Sequence, residues 1–266
     1  MRLCTFRDMN RTRLGEVRGN HVHPLAGDDV RDAIGGPLPA PDGDPVPLEG
    51  LELLAPLPPG KVVGVGWNYP DHAAEMGGRT LDAPVVFAKL VSSVTAPFAA
   101  VTRPAYTREL DYEGELAVVI GRRARDVAHA DALAHVFGYA VMNDVTARDM
   151  QRAEPQWIRA KGGDGFGPFG PWVTTADEVP DPQALGIRTW VNGDLRQDGS
   201  TAGMAFTVAD LVTWCAASFT LEPGDVIATG TPPGVGKART PPAFLQPGDV
   251  VRIEIDGLGA LENGIR

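Results

Sequence analysis

The sequence predicts a mainly β protein with some α, and three observations predict it. The 266 residues include 32 glycines and 24 prolines, about a fifth of the chain, a density that favours short strands and turns over long helices. The apolar runs are short, rich in Val and Ile and bounded by turn residues, as in Lys61-Val62-Val63-Gly64-Val65-Gly66 and Asp225-Val226-Ile227-Ala228-Thr229. Strands outnumber helices without the regular βαβ alternation of a parallel sheet, and no internal repeat, heptad array or low-complexity tract occurs.

Along the chain, Leu3 to Phe6 and Leu14 to Arg18 read as short strands. Asp28 to Ile34 reads as a short helix stopped by Gly35-Gly36. Pro37 to Gly50 is rich in Pro, Gly and Asp and reads as a loop. Pro56-Leu57-Pro58-Pro59-Gly60 reads as a stiff connector. These features predict a small N-terminal α+β module over 1–55 and a main domain over 56–266. Within the main domain, strands are expected at Lys61 to Gly66, Pro84 to Lys89, Asp111 to Gly121, Val136 to Asn143, Pro171 to Thr174, Arg188 to Gly193, Asp225 to Thr229 and Asp249 to Asp256. Asn192-Gly193 is the preferred dipeptide of a tight hairpin turn. Val127 to His135 has helical composition, Thr146 to Arg152 opens a helix, and Thr207 to Phe219 is the remaining helix candidate.

Composition excludes several classes. A net charge of −10 argues against nucleic acid as a partner, because binding a phosphate backbone needs clustered Lys and Arg. No apolar run approaches the length that crosses a bilayer, so no membrane partner is expected. Met1 to Asp8 lacks an apolar h-region, so no secretory leader is expected. Cys4 and Cys215 have neither a nearby partner nor a Cys-x-x-Cys spacing, which argues against structural zinc and a disulfide framework. Together these absences point to the cytoplasm.

The chemistry concentrates in a few places. In Asp111-Tyr112-Glu113-Gly114-Glu115-Leu116-Ala117-Val118-Val119-Ile120-Gly121, read as one strand, Asp111, Glu113 and Glu115 share a face with neighbours about 6.6 Å apart. Carboxylates that close repel unless they are protonated or share a hard cation; the same face would also discourage edge pairing. Asp144 follows the strand Val136 to Asn143. It either caps the next helix or, if Thr146 is the cap with Asp149 completing a capping box, is free to join Glu113 and Glu115. An all-oxygen set of that kind suits Mg²⁺, Mn²⁺ or Ca²⁺. Proline near the start and Gly77-Gly78 at the end bracket a short helix over Asn68 to Gly78. On it His72 and Glu75 share a face, either as a base with its orienting carboxylate on a hinged lid or as a surface pair. Lys161 lies in a glycine-rich loop, placed to bind a carboxylate, polarise a carbonyl or simply face solvent. Ala228 to Gly236 is a turn-rich strand exit that lacks the Walker spacing, and Gly64-Val65-Gly66 lacks the third glycine of a dinucleotide fingerprint.

These stretches resemble the fumarylacetoacetate hydrolase family. The likeness is carried by N-Y-x-D-H-x-x-E-M (Asn68 to Met76), D-Y-E-x-E-L-A-V-V-I-G (Asp111 to Gly121), N-D-V-T-A-R-D-x-Q (Asn143 to Gln151) and T-G-T-P-x-G-V-G (Thr229 to Gly236), in the family's order. The resemblance extends from about Lys61 to the C-terminus. It implies a barrel-like β-roll, a Mg²⁺ or Mn²⁺ site made by Glu113, Glu115 and Asp144, a water-activating pair in His72 and Glu75, and a pocket lysine in Lys161. Arg148, Gln151, Lys89 and Thr231 are implied as substrate contacts, and a homodimer as the assembly. The implied reaction is metal-dependent cleavage of a carbon–carbon bond in an acylpyruvate such as fumarylpyruvate, a small anionic 2-oxo acid. Decarboxylation of an oxaloacetate-type acid or isomerisation of a 2-hydroxyhepta-2,4-diene-1,7-dioate-type acid uses the same site. A ligand-binding module without activity is the alternative from another class. Leu90, Gly162-Gly163 and Ser92 to Phe98 depart from the family's usual pocket residues and leave the substrate open.

Overall fold

The acidic segment forms the centre of a twelve-stranded sheet, in a computed structural model that describes residues 1–78 and 81–266. Ten of its strands run as an open path, Val46–Pro47, His21–Pro24, Arg11–Arg18, Arg2–Asp8, Gly167–Thr175, Val136–Asn143, Gly114–Ile120, Val226–Ala228, Val62–Gly66 and Val85–Lys89, while Leu53–Leu54 pairs with Arg2–Asp8 and Val94–Thr95 with Gly167–Thr175. Pairing is antiparallel except between Val226–Ala228 and Val62–Gly66 and where Val94–Thr95 joins Gly167–Thr175. A separate antiparallel sheet of four strands, Asp194–Ser200, Gly186–Val191, Val250–Ile255 and Gly259–Gly264, packs against it. The N-terminal strands are continuous with the main sheet, because Arg2–Asp8 pairs with Gly167–Thr175 through Arg2↔Thr174 and Leu3↔Val173.

Gly114–Ile120 is buried along its whole length and serves two cores at once. Leu116, Val118 and Ile120 face the larger core with Ile187 and Ile253 of the four-stranded sheet. Ala117 and Val119 face the second core with Ala140, Met142 and Phe169. A strand covered on both sides reads as a continuous apolar run, as this one does. The Asn192-Gly193 hairpin forms as expected. Both residues have positive φ, 53° and 84°, the left-handed geometry that makes Asn-Gly suit such a turn.

Helices are few: α1 (Pro70–Glu75), α2 (Arg148–Ala153), α3 (Ile158–Lys161) and α4 (Val208–Ser218). Thr207 and Asp210 close a capping box at the start of α4. The expected helices at Asp28 to Ile34 and Val127 to His135 are instead 3-10 turns, Val30–Ala33 and His129–His135. Three local expectations are corrected. Asp111 to Gly121 is not one strand: Leu110–Asp111 pairs with Thr146–Ala147, and the ladder breaks at Tyr112 and Glu113, where the Asn143 side chain accepts the Glu113 N–H at 3.1 Å. Thr146 is not a helix cap, since α2 begins at Arg148, Thr146 Oγ1 donates to the Asp144 carbonyl, and Asp149 accepts from Thr107 and Arg108. Lys161 ends a short helix and does not ride in an open loop.

No helix among the described residues is long and apolar enough to cross a membrane. Cys4 and Cys215 are fully buried free thiols on different elements, and burial pushes both up to about 12. A thiol so shifted holds almost no thiolate at mildly alkaline pH. A disulfide exchange reagent is therefore expected to find no reactive thiol in the folded protein and both after unfolding; rapid modification of either in the native state would contradict this packing.

Candidate active site

Glu113, Glu115 and Asp144 converge, with ligand oxygens within 4.8 Å of one another and all three side chains buried. The strand register explains why. Gly114 pairs with Asn143, and the Asp144 N–H donates to the Glu113 carbonyl at 2.9 Å, so Glu113 and Asp144 lie opposite each other across the strand ends. Glu115 is two residues further along the face that Ala117 and Val119 continue into the core. Like charges set directly opposite are destabilising, so the arrangement needs positive charge.

The protein supplies part of it. Lys161 Nζ donates to Glu113 Oε2 and Asp144 Oδ2, each at 2.6 Å. Lys89 Nζ donates to Asp144 Oδ1 at 2.6 Å and to the Lys161 and Phe166 carbonyls. Arg148 pairs with Asp111 at 2.8 Å and with Glu113 at 2.7 Å, and its other amino group donates to Gln151. Asp111 thus stands apart from the triad. It anchors Arg148 and accepts the backbone N–H groups of Gly236 and Lys237. Four buried carboxylates face three cations, and Glu115 is the one with no ion pair among the described residues; its contact is the Gly230 N–H at 2.9 Å.

Protonation follows this layout. Burial pushes the Glu113 carboxyl up, but Lys161, Arg148 and His72 pull it further down, to about 2. Burial, then the charges of Asp144 and Glu113, raises Glu115 well above the ordinary carboxylate range. Burial pulls Lys161 down, but its two carboxylate partners outweigh that and hold it above its ordinary value. Burial dominates for Lys89, which is lowered. The donor set fits a hard divalent cation: three convergent carboxyl groups, no sulfur or imidazole in the cluster, and one of them, Glu115, without a cationic partner among the described residues.

His72 and Glu75 lie on one face of α1, as their spacing predicts, with His72 Nδ1 2.8 Å from Glu75 Oε1. A carboxylate accepts, so Nδ1 carries the hydrogen and Nε2 is the basic nitrogen of the neutral ring, which lines the cleft. Both Glu75 oxygens also accept the Gly234 N–H, at 3.1 and 2.9 Å, which fastens α1 to the Thr229 to Gly236 turn. Asn68 pins the entry to α1 through Phe206 and the Thr229 carbonyl. Arg148, Gln151, Lys161 and Thr231 line the same cleft, whereas Lys89 is buried beneath the carboxylates with all three N–H groups engaged.

Two features escape a reading of the sequence. Gln197 is fully buried and uses its whole amide: Oε1 accepts from Gly114 N–H and Thr189, and Nε2 donates to Thr231 Oγ1 and the Pro232 carbonyl. It ties the four-stranded sheet to the peptide between Glu113 and Glu115, yet nothing distinguishes it within the polar run Asp194–Ser200. Trp67 and Trp157 also line the cleft, and Trp67 holds a positive φ of 57°, which costs about 1–3 kcal/mol in a residue with a side chain. The alternating Gly64 and Gly66 are the one signal in the sequence: a Cβ on Gly64 would meet Phe87 at 2.3 Å, and one on Gly66 would meet Trp157 at 2.7 Å.

Comparison with known proteins identifies the family of this fold. Residues 61–266 match the fumarylacetoacetate (FAA) hydrolase C-terminal family, and residues 1–56 match an Rv2993c-like N-terminal family. The fold resembles a fumarylacetoacetate hydrolase from the psychrophilic Exiguobacterium antarcticum, with TM-score 0.92 and 41% identity over 100% of this chain and 99% of that one. A 2-hydroxyhepta-2,4-diene-1,7-dioate isomerase from Mycobacterium marinum aligns with TM-score 0.85 and 37% identity over 100% and 98%. A mitochondrial oxaloacetate tautomerase of Xenopus laevis is 45% identical over 218 residues, 81% of this chain and 68% of its own. With a family model covering most of its length and a carboxylate cluster at the centre of the matching fold, the chain belongs to the fumarylacetoacetate hydrolase family.

Proposed function

We propose that the protein is a Mg²⁺- or Mn²⁺-dependent hydrolase that cleaves the carbon–carbon bond of an acylpyruvate. The observation that carries this reading is that His72, held by Glu75 at Nδ1, lines the same cleft as Glu113 and Glu115 of the triad. Glu113, Glu115 and Asp144 would hold the ion, which when bound supplies positive charge for the carboxylate and 2-oxo oxygens of the substrate.

The chain's own residues account for the rest. His72 Nε2 takes a proton from water, and Glu75, hydrogen-bonded at Nδ1, stabilises the imidazolium that results. The hydroxide adds to the distal carbonyl, the bond from that carbon to the methylene breaks, and the electron pair moves onto the pyruvate fragment as its enolate. Proton return to the methylene carbon gives pyruvate and an organic acid. Arg148 and Lys161 offset most of the buried carboxylate charge, and the ion would add the positive charge that lets an anionic substrate approach despite a net charge of −10.

A second reading, tautomerisation or isomerisation of a 2-oxo acid without water attack, is supported by the isomerase and tautomerase among the similar proteins. Decarboxylation is a third outcome of the same chemistry. Product analysis separates them: Mg²⁺-loaded protein is expected to convert acetylpyruvate to pyruvate plus acetate and fumarylpyruvate to pyruvate plus fumarate, and to leave oxaloacetate unchanged. Carbon dioxide release, or a change in the enol band alone, would point to the other reactions, and no turnover with metal bound would favour a binding module.

Two variants separate the roles. Glu113→Ala is expected to abolish turnover and weaken Mg²⁺ binding measured by calorimetry. His72→Ala is expected to lower kcat by about 10²–10⁴-fold while leaving Mg²⁺ affinity near that of the parent. Loss of metal binding in His72→Ala, or an unchanged rate in Glu113→Ala, would show that these side chains are misassigned.

A further inference from the structure

Strand Val62–Gly66 carries two glycines on one face, at 64 and 66, and three aromatic rings gather over the bare strip they leave. Phe87 lies against Gly64 and Trp157 against Gly66. Trp157 meets Phe87 edge-on, with ring centroids 5.4 Å apart, and Trp67 in the same way at 5.8 Å. Lys161 Nζ sits 5.1 Å from the Phe87 ring centre, so the wall begins where the carboxylate cluster ends. Trp67 and Trp157 are half-buried, and both line the cleft with His72 and Glu113.

The charges in this cleft are already committed. Its lining cations are Arg148, Lys161 and, when protonated, His72, and each of them has a carboxylate partner. A substrate tail that reached the indoles bearing a second carboxylate would lose its water without gaining a cation among the described residues. A flat apolar tail would instead bury against ring faces and edges, which favour aromatic or conjugated partners.

We propose that Trp67, Trp157 and Phe87 form a specificity wall that selects 2-oxo acids with a flat, apolar tail over those with a carboxylate tail. This rests on the reading of the triad as the 2-oxo acid head-group site. The positive φ of Trp67 is the backbone conformation that goes with the indole's place in the cleft lining. The wall thus ranks acylpyruvates by their acyl part: an aryl or conjugated apolar group is favoured over acetyl, and over fumaryl, whose far end carries a carboxylate.

The test is calorimetric titration of the Mg²⁺-loaded protein with 2-oxo-4-phenylbutanoate, 2-oxoadipate and pyruvate. The phenyl acid is expected to bind on the order of tenfold or more tighter than the dicarboxylate, the scale on which apolar pocket contacts discriminate. Trp67→Leu and Trp157→Leu should each remove most of that margin, with Trp67→Phe restoring part of it. Pyruvate, which has no tail, reads the head-group site, and its affinity should change less than that of the phenyl acid. Equal or tighter binding of 2-oxoadipate, or a uniform loss for all three acids in both Leu variants, would overturn the wall. Failure of the parent protein to bind any of the three would overturn the 2-oxo acid reading and the wall with it.

Discussion

Two carboxylates opposite each other at the end of a buried strand pair set the terms for everything around them. Glu113 and Asp144 are brought together by backbone register, through the Asp144 N–H to the Glu113 carbonyl, and side-chain preference has no say in it. Isolated ions of this kind cost several kcal/mol each to bury. The surroundings respond with Lys161 bridging the pair, Lys89 beneath Asp144 and Arg148 beside Glu113. Those cations come from three elements, so the cluster also cross-links Val85–Lys89, α2 and α3 to the central strands. Glu115, left with the Gly230 N–H, is the point at which the compensation stops.

The same economy links helix α1 to the core. Glu75 orients His72 and accepts the Gly234 N–H, while Thr231, three residues earlier in that turn, donates to the Gly114 carbonyl and accepts from Gln197. Helix α1, the turn and the peptide between Glu113 and Glu115 therefore share one hydrogen-bond network. Movement of any part would be felt at the imidazole and at the carboxylates together.

Much of this could be read from the sequence, where its signals were local. Strand runs with sharp turn residues, the Asn192-Gly193 hairpin and the i,i+3 pairing of His72 with Glu75 depend on neighbours along the chain, and they appear in the structure. The convergence of Glu113, Glu115 and Asp144 is left open by the local pattern, which allows Asp144 to cap a helix or to join the pair, and the pairing of Gly114 with Asn143 decides it. The break at Tyr112 was not readable, because it depends on a side chain thirty residues away, Asn143, replacing a backbone acceptor. Asp111 shares a face with Glu113 and Glu115 only in an unbroken strand, and with the break it holds Arg148 instead. The ion pairs of Lys89 and Arg148 and the bridging of Gln197 depend on contacts between remote segments, and nothing in the local pattern of those residues distinguishes them from surface polar residues.

The account stands on a divalent ion held by the three carboxylates. Diffraction from crystals grown with Mn²⁺, collected at the manganese absorption edge, tests it most directly. One anomalous peak in coordinating contact with Glu113, Glu115 and Asp144 is the result predicted. A cluster with no peak, its carboxylates still satisfied by Lys161 and Arg148 at saturating Mn²⁺, would contradict it.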